Sequence, residues 1–215
     1  MHRLSRFGTL VALLLSLVGG AQAADGDILE RKPMAVPAGA SYVAAQLVYE
    51  SDGLRIAGFL AYPKTAPIGQ ARLPCVIWNR GGNRDYGAIT PAFFLVRAAR
   101  LAGWGYVLFA SNYRGAPGSQ GKEEFGGADV ADVLNGLRVF DQLPFADPER
   151  IGMWGHSRGG MMTYLALTRT DRIRAAIVGA GPTDLDRWMR ERPEMESEVA
   201  ARLVPDWATQ RAKAI

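Results

Sequence analysis

The sequence contains few of the residues that form disulfides, metal sites and acid–base pairs. It has one cysteine, Cys75, and two histidines, His2 and His156, in 215 residues. A single cysteine excludes an internal disulfide, and the chain has neither a Cys-x-x-Cys pair nor two histidines at metal-ligand spacing. We therefore expect no metal site, and we interpret Cys75, which lies in an apolar run, as a buried core residue.

Clusters of charge of one sign are also missing. The formal net charge is only +4, and the lysines and arginines are scattered along the chain without a basic patch interleaved with aromatic residues. This distribution predicts no nucleic-acid partner. The glycine-rich stretch 115–127 lacks the Lys-Ser/Thr ending of a phosphate-binding loop, so we expect no nucleotide and no organic cofactor.

The N-terminus begins with a basic segment that contains Arg3 and Arg6, followed by an apolar run over 10–18 and the small-residue sequence Ala21-Gln22-Ala23. This order is typical of a secretory signal peptide. An uncleaved membrane anchor is the alternative, but the apolar run is shorter than the ~20 residues that a spanning helix needs. We expect removal of residues 1–23, no stable membrane anchor afterwards, and a periplasmic or extracellular protein.

The rest of the chain alternates between strand-like and helix-like segments. Residues 24–40 contain proline and glycine and are interpreted as a lead-in segment, and residues 43–50 and 54–62 then predict a hairpin. Continuous apolar runs favour buried strands, and apolar residues at helical spacing favour helices between them. The predicted strands are 75–78, 106–110, 151–154 and 175–178, and the predicted helices are 91–102, 130–140 and 161–168. This alternation predicts an α/β fold with a mostly parallel sheet and the hairpin at its antiparallel edge.

Two segments do not fit the alternation. Residues 112–127 are rich in glycine and charge and predict a long surface loop near the strand ends, where functional residues are often found. Residues 184–215 predict two or three short helices without another strand. Asp129 and Asp184 stand where helices begin, which predicts helix caps. Asp184 also follows the last predicted strand, so a functional acid near the strand ends is the alternative for it.

The sequence Gly155-His156-Ser157-Arg158-Gly159-Gly160 lies between a predicted strand and a predicted helix. This is the setting of a nucleophile elbow, with Ser157 as the nucleophile. The flanking glycines fit because a Cβ there would collide with the neighbouring strand and helix. A structural serine in a glycine-rich turn is the alternative. His2 is far away in sequence, and we expect His156 to pack locally rather than act as the base.

The elbow is the last of an ordered series of motifs. Before it come Asn112-Tyr113-Arg114-Gly115, then Gly127 with Asp129-Val130-Ala131-Asp132-Val133, then Asp147-Pro148-Glu149-Arg150-Ile151-Gly152. With this series the chain resembles, over residues 45–207, the catalytic domain of prolyl oligopeptidase-like serine peptidases. The resemblance implies an α/β-hydrolase fold, with helices on both faces of a mostly parallel sheet, and a peptidase that forms an acyl-enzyme on Ser157.

The resemblance also implies roles for several other positions. The backbone N–H of Arg158 would be one oxyanion donor, and a backbone N–H of Gly81 or Gly82 would be the second. Arg80 stands where several family members have tyrosine. Arg80, Tyr113 and Arg114 are candidates for a loop that contacts substrate, although Arg114 could instead hold its loop by hydrogen bonds.

In the family, the aspartate and histidine of the triad follow further strands after the elbow, and this sequence has no histidine there. The resemblance therefore implies that residues 41–215 form a partial domain that lacks C-terminal strands and is inactive alone. The expected substrate is a peptide or a small ester. Two alternatives are an esterase of the same fold and a non-catalytic binding protein that keeps the fold.

Overall fold

The computed structural model describes residues 22–67 and 72–209 of the chain. Its strands form one sheet in the order β1-β2-β3-β5-β4-β6-β7. The strands are β1 (Ile28–Pro33), β2 (Tyr42–Ser51), β3 (Leu54–Pro63), β4 (Leu73–Asn79), β5 (Val107–Ser111), β6 (Ala146–His156) and β7 (Ile173–Gly179). Strands β5, β4, β6 and β7 are mutually parallel, whereas β1, β2 and β3 are antiparallel to their neighbours. The predicted α/β class is confirmed.

The helices follow the strands in alternation up to β7. They are α1 (Pro91–Gly103), α2 (Asp129–Asp141), α3 (Arg158–Leu167), α4 (Leu185–Glu191), α5 (Pro193–Met195) and α6 (Ala201–Leu203), with a π-helical turn over Glu196–Ala200 before α6. Helix α1 packs on one face of the sheet, through Phe94 and Ala98. Helices α2 and α3 pack on the other face, through residues such as Val133 and Met162. Two apolar cores therefore hold the sheet between helices.

The predicted hairpin is confirmed as β2 and β3, which pair in antiparallel register from Ser51 and Leu54 outward. The two residues between the strands, Asp52 and Gly53, both have positive φ, at 52° and 78°. Positive φ at both central residues defines a type I′ turn, whose twist matches that of the paired strands. The Asp-Gly dipeptide therefore sets the register of the hairpin.

The lead-in segment 24–40 contains a strand that was not predicted. Strand β1 pairs with β2 at the edge of the sheet, and four of its six residues are exposed. Its sequence, ILERKP, does not alternate because an edge strand buries little of its surface. Lysine and proline on such a strand are common protection against pairing with another chain.

The prediction of a buried strand over 175–178 is wrong. Strand β7 lies at the sheet edge, and Ile177 is 69% exposed. Among the described residues, no strand pairs with its outer edge. A groove of about 600 Å³ separates β6 and β7 from α1, and its lining includes Val96, Trp104 and Ile177. The apolar run indicates a strand that can be covered on both faces, but among the described helices it is α3 that packs against β7, and the face towards α1 is left open by the groove.

The predicted surface loop 112–127 is exposed in its middle, at 117–118 and 120–122, whereas both of its ends pack into the protein. Asn112, Tyr113, Arg114, Glu123 and Phe125 are all buried. The glycines and charges that suggested exposure serve tight turns and internal ion pairs, which composition alone does not reveal.

The C-terminal segment is confirmed as short helices as far as residue 209. Asp184 caps α4, since its Oδ1 accepts a hydrogen bond from the Arg187 amide at 2.9 Å. Asp129 is not the cap of α2, because Ala128 holds that position and the Asp129 carboxylate has other partners. The predicted signal peptide falls, except for residues 22 and 23, outside the described residues. No helix in the described ranges is long and apolar enough to cross a bilayer.

Candidate active site

Ser157 occupies the sharp turn between β6 and α3. Its backbone has φ 56° and ψ −129°, a region that non-glycine residues rarely adopt. Its amide donates to the Gly179 carbonyl at 2.8 Å, and its carbonyl accepts from the Gly160 amide at 2.8 Å. These two bonds hold the strained residue between strand and helix. The predicted nucleophile-elbow geometry is therefore present.

The glycines around Ser157 are required by close backbone contacts. A Cβ on Gly155 would lie 2.0 Å from the Gly159 carbonyl oxygen, and one on Gly159 would lie 2.1 Å from the Asn79 carbonyl oxygen. A Cβ on Gly160 would lie 2.7 Å from Val178 Cγ1. Real Cβ atoms do not approach backbone this closely, so the predicted collisions with strand and helix are confirmed.

The loop after β4 lies next to the elbow because β4 and β6 are neighbouring parallel strands, with Asn79 opposite Gly155. Ligands bind at the carboxyl ends of such strands where the strand order reverses, as it does at β4. A Cβ built on Gly81 would lie 3.0 Å from the His156 carbonyl oxygen and 3.5 Å from Ser157 Cβ. Gly81 therefore faces the serine.

Two backbone amides that could bind an oxyanion have no hydrogen-bond acceptor among the described residues. In the part of the chain that the structure describes, the Arg158 and Gly81 amides donate to no protein acceptor. The Arg158 amide is also in the first turn of α3, whose N-terminus carries partial positive charge. An acyl oxygen that gains negative charge beside Ser157 would meet donors and a favourable dipole.

Arg80 is buried rather than open to a substrate. Its side chain donates to the carbonyl oxygens of Asn112 at 2.9 Å, Gly81 at 3.2 Å, Tyr86 at 3.3 Å and Arg84 at 3.2 Å. Burial lowers the pKa of its guanidinium, and the nearby Arg158 charge lowers it further. The predicted substrate contact is therefore corrected to a structural one, in which Arg80 holds the backbone of the loop that carries Gly81.

The Arg158 side chain is also buried, with 1% of its surface exposed. Its Nη1 forms an ion pair with Glu123 Oε1 at 2.8 Å and donates to the Gly82 carbonyl at 3.1 Å, and its Nη2 pairs with Asp129. Glu123 Oε2 accepts the Arg84 amide at 2.8 Å. Sequence reasoning missed Glu123 because nothing in its local sequence distinguishes it from a solvated charge.

Tyr113 stands between the two arginines. Its ring centroid is 5.3 Å from Arg80 Cζ and 5.1 Å from Arg158 Cζ, which is within the range of cation–π attraction. Its hydroxyl donates to the Arg80 carbonyl at 3.3 Å, and burial raises the pKa of the phenol. Tyr113 is wholly buried, so the predicted substrate contact by its side chain is corrected to packing.

Arg114 holds its loop, as the alternative interpretation predicted. Its Nη2 pairs with Asp132 Oδ1 at 2.8 Å and with Asp52 Oδ2 at 2.8 Å, and its amide donates to Asp132 Oδ2 at 2.7 Å. Ser51 Oγ donates to the same Asp132 carboxylate at 2.7 Å. This side chain ties the 112–127 loop to α2 and the hairpin, and a substrate contact is not supported.

His156 has an exposed side chain that lies on the β7 side of the elbow. A Cβ on Gly179 would be 3.0 Å from its Cδ2. This agrees with the local packing that we predicted for it. Within the described ranges, no group of three or more His, Cys, Asp or Glu side chains could hold a metal ion.

Residues 91–214 match the sequence profile of the prolyl oligopeptidase family. The chain belongs to this family. The match includes the elbow, α2 and the loop that contains Glu123, so the motif series has the origin that the sequence suggested.

Individual relatives agree with this assignment. An uncharacterized peptidase of Bacillus subtilis strain 168, YtmA, is 34% identical over 150 residues, which are 69% of this chain and 55% of YtmA. The acylaminoacyl peptidase of Pyrococcus horikoshii superposes with a TM-score of 0.53 at 29% identity, over 66% of this chain and 23% of that one. The chain thus spans about half of the length of YtmA.

The esterase LipA from Xanthomonas oryzae, described as rice cell wall degrading, shares the fold. It superposes with a TM-score of 0.60 over 77% of this chain and 53% of LipA, at 16% identity. That identity shows the fold alone. Peptidases and an esterase therefore share this α/β-hydrolase architecture, and the fold does not choose between their substrates.

Proposed function

We propose that the protein is a serine hydrolase that cleaves peptide bonds through an acyl-enzyme on Ser157. The observation that carries this proposal is the strained Ser157 beside the Arg158 and Gly81 amides, which donate to no acceptor in the described protein. Family membership supports a peptide substrate. An ordinary structural serine would not need a strained backbone held by close glycine contacts.

The chemistry follows from the geometry. Ser157 Oγ attacks the acyl carbon while a base takes its proton, and the carbonyl oxygen becomes an oxyanion that accepts from the Arg158 and Gly81 or Gly82 amides. The tetrahedral intermediate collapses, the amine leaves with the proton, and the acyl group remains as an ester on Ser157. Water then hydrolyses this ester by the same steps.

None of the 215 residues is proposed as the base that takes the proton of Ser157. His2 and His156 are the only imidazoles in the sequence, and His156 lies against Gly179. Without a base, the oxyanion site and binding alone provide roughly 10³ to 10⁴-fold acceleration over water. We expect residues 24–215 alone to be nearly inactive towards amides.

The experiment is labelling of the naturally produced protein with a fluorophosphonate, followed by mass spectrometry to locate the adduct. We expect a single adduct on Ser157, and none in Ser157→Ala. Ser197→Ala is the matched control, because Ser197 has an exposed side chain whose hydroxyl donates to the Glu194 carbonyl. Labelling that survives in Ser157→Ala would refute the proposal.

Substrate class is tested with paired substrates. Prolyl or aminoacyl p-nitroanilides and p-nitrophenyl esters are compared at equal concentration. Hydrolysis of the anilides supports the peptidase, and hydrolysis of the esters alone would replace it with an esterase. Failure of both substrates and of labelling would leave the non-catalytic binding protein.

We also propose that the protein is exported. Residues 1–23 carry the basic start, apolar run and small-residue cleavage site that support this. N-terminal sequencing of the protein from its source tests it, with Ala24 as the expected first residue. A mature protein that begins at Met1 and stays in the cytoplasmic fraction would contradict it.

A further inference from the structure

The Arg158 residue contributes to the candidate oxyanion site in two separate ways. Its backbone amide is one proposed donor, and its Nη1 donates to the Gly82 carbonyl at 3.1 Å. Gly82 follows Gly81 in the loop that would supply the second donor. One residue therefore connects the two parts of the site, which come from different segments of the chain.

Two carboxylates fix the position of the Arg158 guanidinium. Glu123 Oε1 lies 2.8 Å from Nη1 as an ion pair without hydrogen-bond geometry, and Asp129 forms a hydrogen-bonded ion pair with Nη2. Both carboxylates are buried, with 2% and 0% of their side-chain surface exposed. Because the fork of an arginine side chain is rigid and planar, pairing at both ends leaves it little freedom to rotate.

Glu123 holds the same loop from a second side. Its Oε2 accepts the Arg84 amide at 2.8 Å and lies 3.5 Å from Arg80 Nη2. The loop is thus anchored at Gly82 by Arg158 and at Arg84 by Glu123, on either side of Asn83. The two anchoring side chains, Arg158 and Glu123, are buried, while the loop backbone that they hold is partly exposed.

We propose that Arg158, fixed by Glu123 and Asp129, is a positioning residue that sets the separation between the two oxyanion donors. This inference rests on the proposed hydrolase function. The guanidinium does not touch the acyl group, and it acts through the Gly82 carbonyl. Loss of the side chain should therefore impair the chemical step more than substrate binding, because an oxyanion exists only in the transition state and intermediate.

The test compares the wild type with Arg158→Met, Arg158→Lys and Glu123→Gln in the naturally produced protein. A misplaced donor should slow fluorophosphonate labelling of Ser157 and kcat for an anilide by about 10² to 10³-fold, with KM changed less than about threefold. Arg158→Lys keeps a positive charge but has a single ammonium, which does not span Asp129 and Gly82 as the fork does. Relative to Arg158→Met, we expect Arg158→Lys to restore thermal stability more than it restores kcat.

Amide hydrogen exchange provides a readout that does not require activity. We expect exchange in residues 80–86 to quicken at least tenfold in Arg158→Met, with little change in α1. Phe140→Leu is the control for a general loss of stability, since Phe140 is buried in the core between α2 and β5 and lies outside the site. This variant should lower the melting temperature without altering kcat or loop exchange.

The outcomes separate this inference from the proposed function. Unchanged exchange in residues 80–86 of Arg158→Met overturns the positioning role. Faster exchange with an unchanged kcat, or with a loss that appears only in KM, overturns it as well. A wild type that is not labelled at Ser157 refutes the hydrolase itself, and with it any catalytic role for Arg158.

Discussion

Replacement of Asp132 by asparagine tests whether the buried ion pairs of this fold contribute to its stability. The Asp132 side chain is fully buried on α2. Its carboxylate accepts from Ser51 Oγ at 2.7 Å, from the Arg114 amide at 2.7 Å, and from Arg114 Nε and Nη2 at 3.1 and 2.8 Å. An asparagine has only one acceptor oxygen, so its amide nitrogen would face donors.

The expected loss follows from this geometry. Removal of one member of a buried pair costs about 3 to 5 kcal/mol, because the remaining charge and donors stay buried. Burial raises the pKa of the Asp132 carboxyl, against the opposing effects of Arg114 and Ser51. Desolvation therefore offsets part of the attraction, and Asp52 still pairs with Arg114. We expect about 3 kcal/mol, the lower end of that range.

The assay is thermal and urea unfolding at pH 7, followed by circular dichroism. For a chain of this length, about 3 kcal/mol corresponds to a fall in Tm of roughly 6 to 12 °C. Asp141→Asn is the matched control, because Asp141 lies on the same helix and pairs with Arg172, with 43% and 30% of the two side chains exposed. Such a pair contributes at most about 1 kcal/mol. Equal shifts in the two variants would refute the reasoning.

Three further predictions concern backbone strain, close contact and burial. Ser157→Gly should raise the free energy of unfolding by about 1 kcal/mol, because glycine adopts φ 56° without the backbone strain that serine has there. A lower urea midpoint would contradict this. Gly159→Ala should cost about 3 kcal/mol or more, because its Cβ would lie 2.1 Å from the Asn79 carbonyl oxygen. In contrast, a Cβ on Gly103 would have no neighbouring atom within 4 Å, so Gly103→Ala should change stability little. Comparable losses of stability in Gly159→Ala and Gly103→Ala would argue against the close contact. Burial raises the pKa of the Cys75 thiol to about 12, so Ellman's reagent at pH 8 should react only after denaturation, and rapid reaction of the native protein would contradict this.

The features that could be predicted from the sequence are those whose cause is local. The Asp52-Gly53 turn requires positive φ at two positions, and only a few residue types adopt it readily, so the dipeptide marks the hairpin. The elbow is similar, since its glycines are needed by contacts within a strand, a turn and a helix that are consecutive in sequence. Apolar runs likewise predicted β4 and β5, because each is covered on both faces, and β6, which packs into the core on one face.

The features that were missed depend on the position of an element in the sheet. Strands β1 and β7 are the two edges. An edge strand with charged residues shows no apolar pattern, so β1 was not predicted, whereas β7 has an apolar pattern but is exposed. Neither the presence of β1 nor the exposure of β7 follows from the local sequence, because burial depends on which elements become neighbours.

The ion pairs around the elbow also depend on which segments become neighbours in the fold. Arg80 and Arg158 are 78 residues apart in sequence, yet Glu123 pairs with both, and Asp129 pairs with Arg158. Read singly, Arg80 suggested a cation for a substrate, and Arg158 suggested only a backbone donor. Together, two arginines and two carboxylates bring the formal charge of the cluster to zero. Stabilisation of an oxyanion at Ser157 would therefore come from the amides and the N-terminus of α3, and the arginines would act by holding those amides in place.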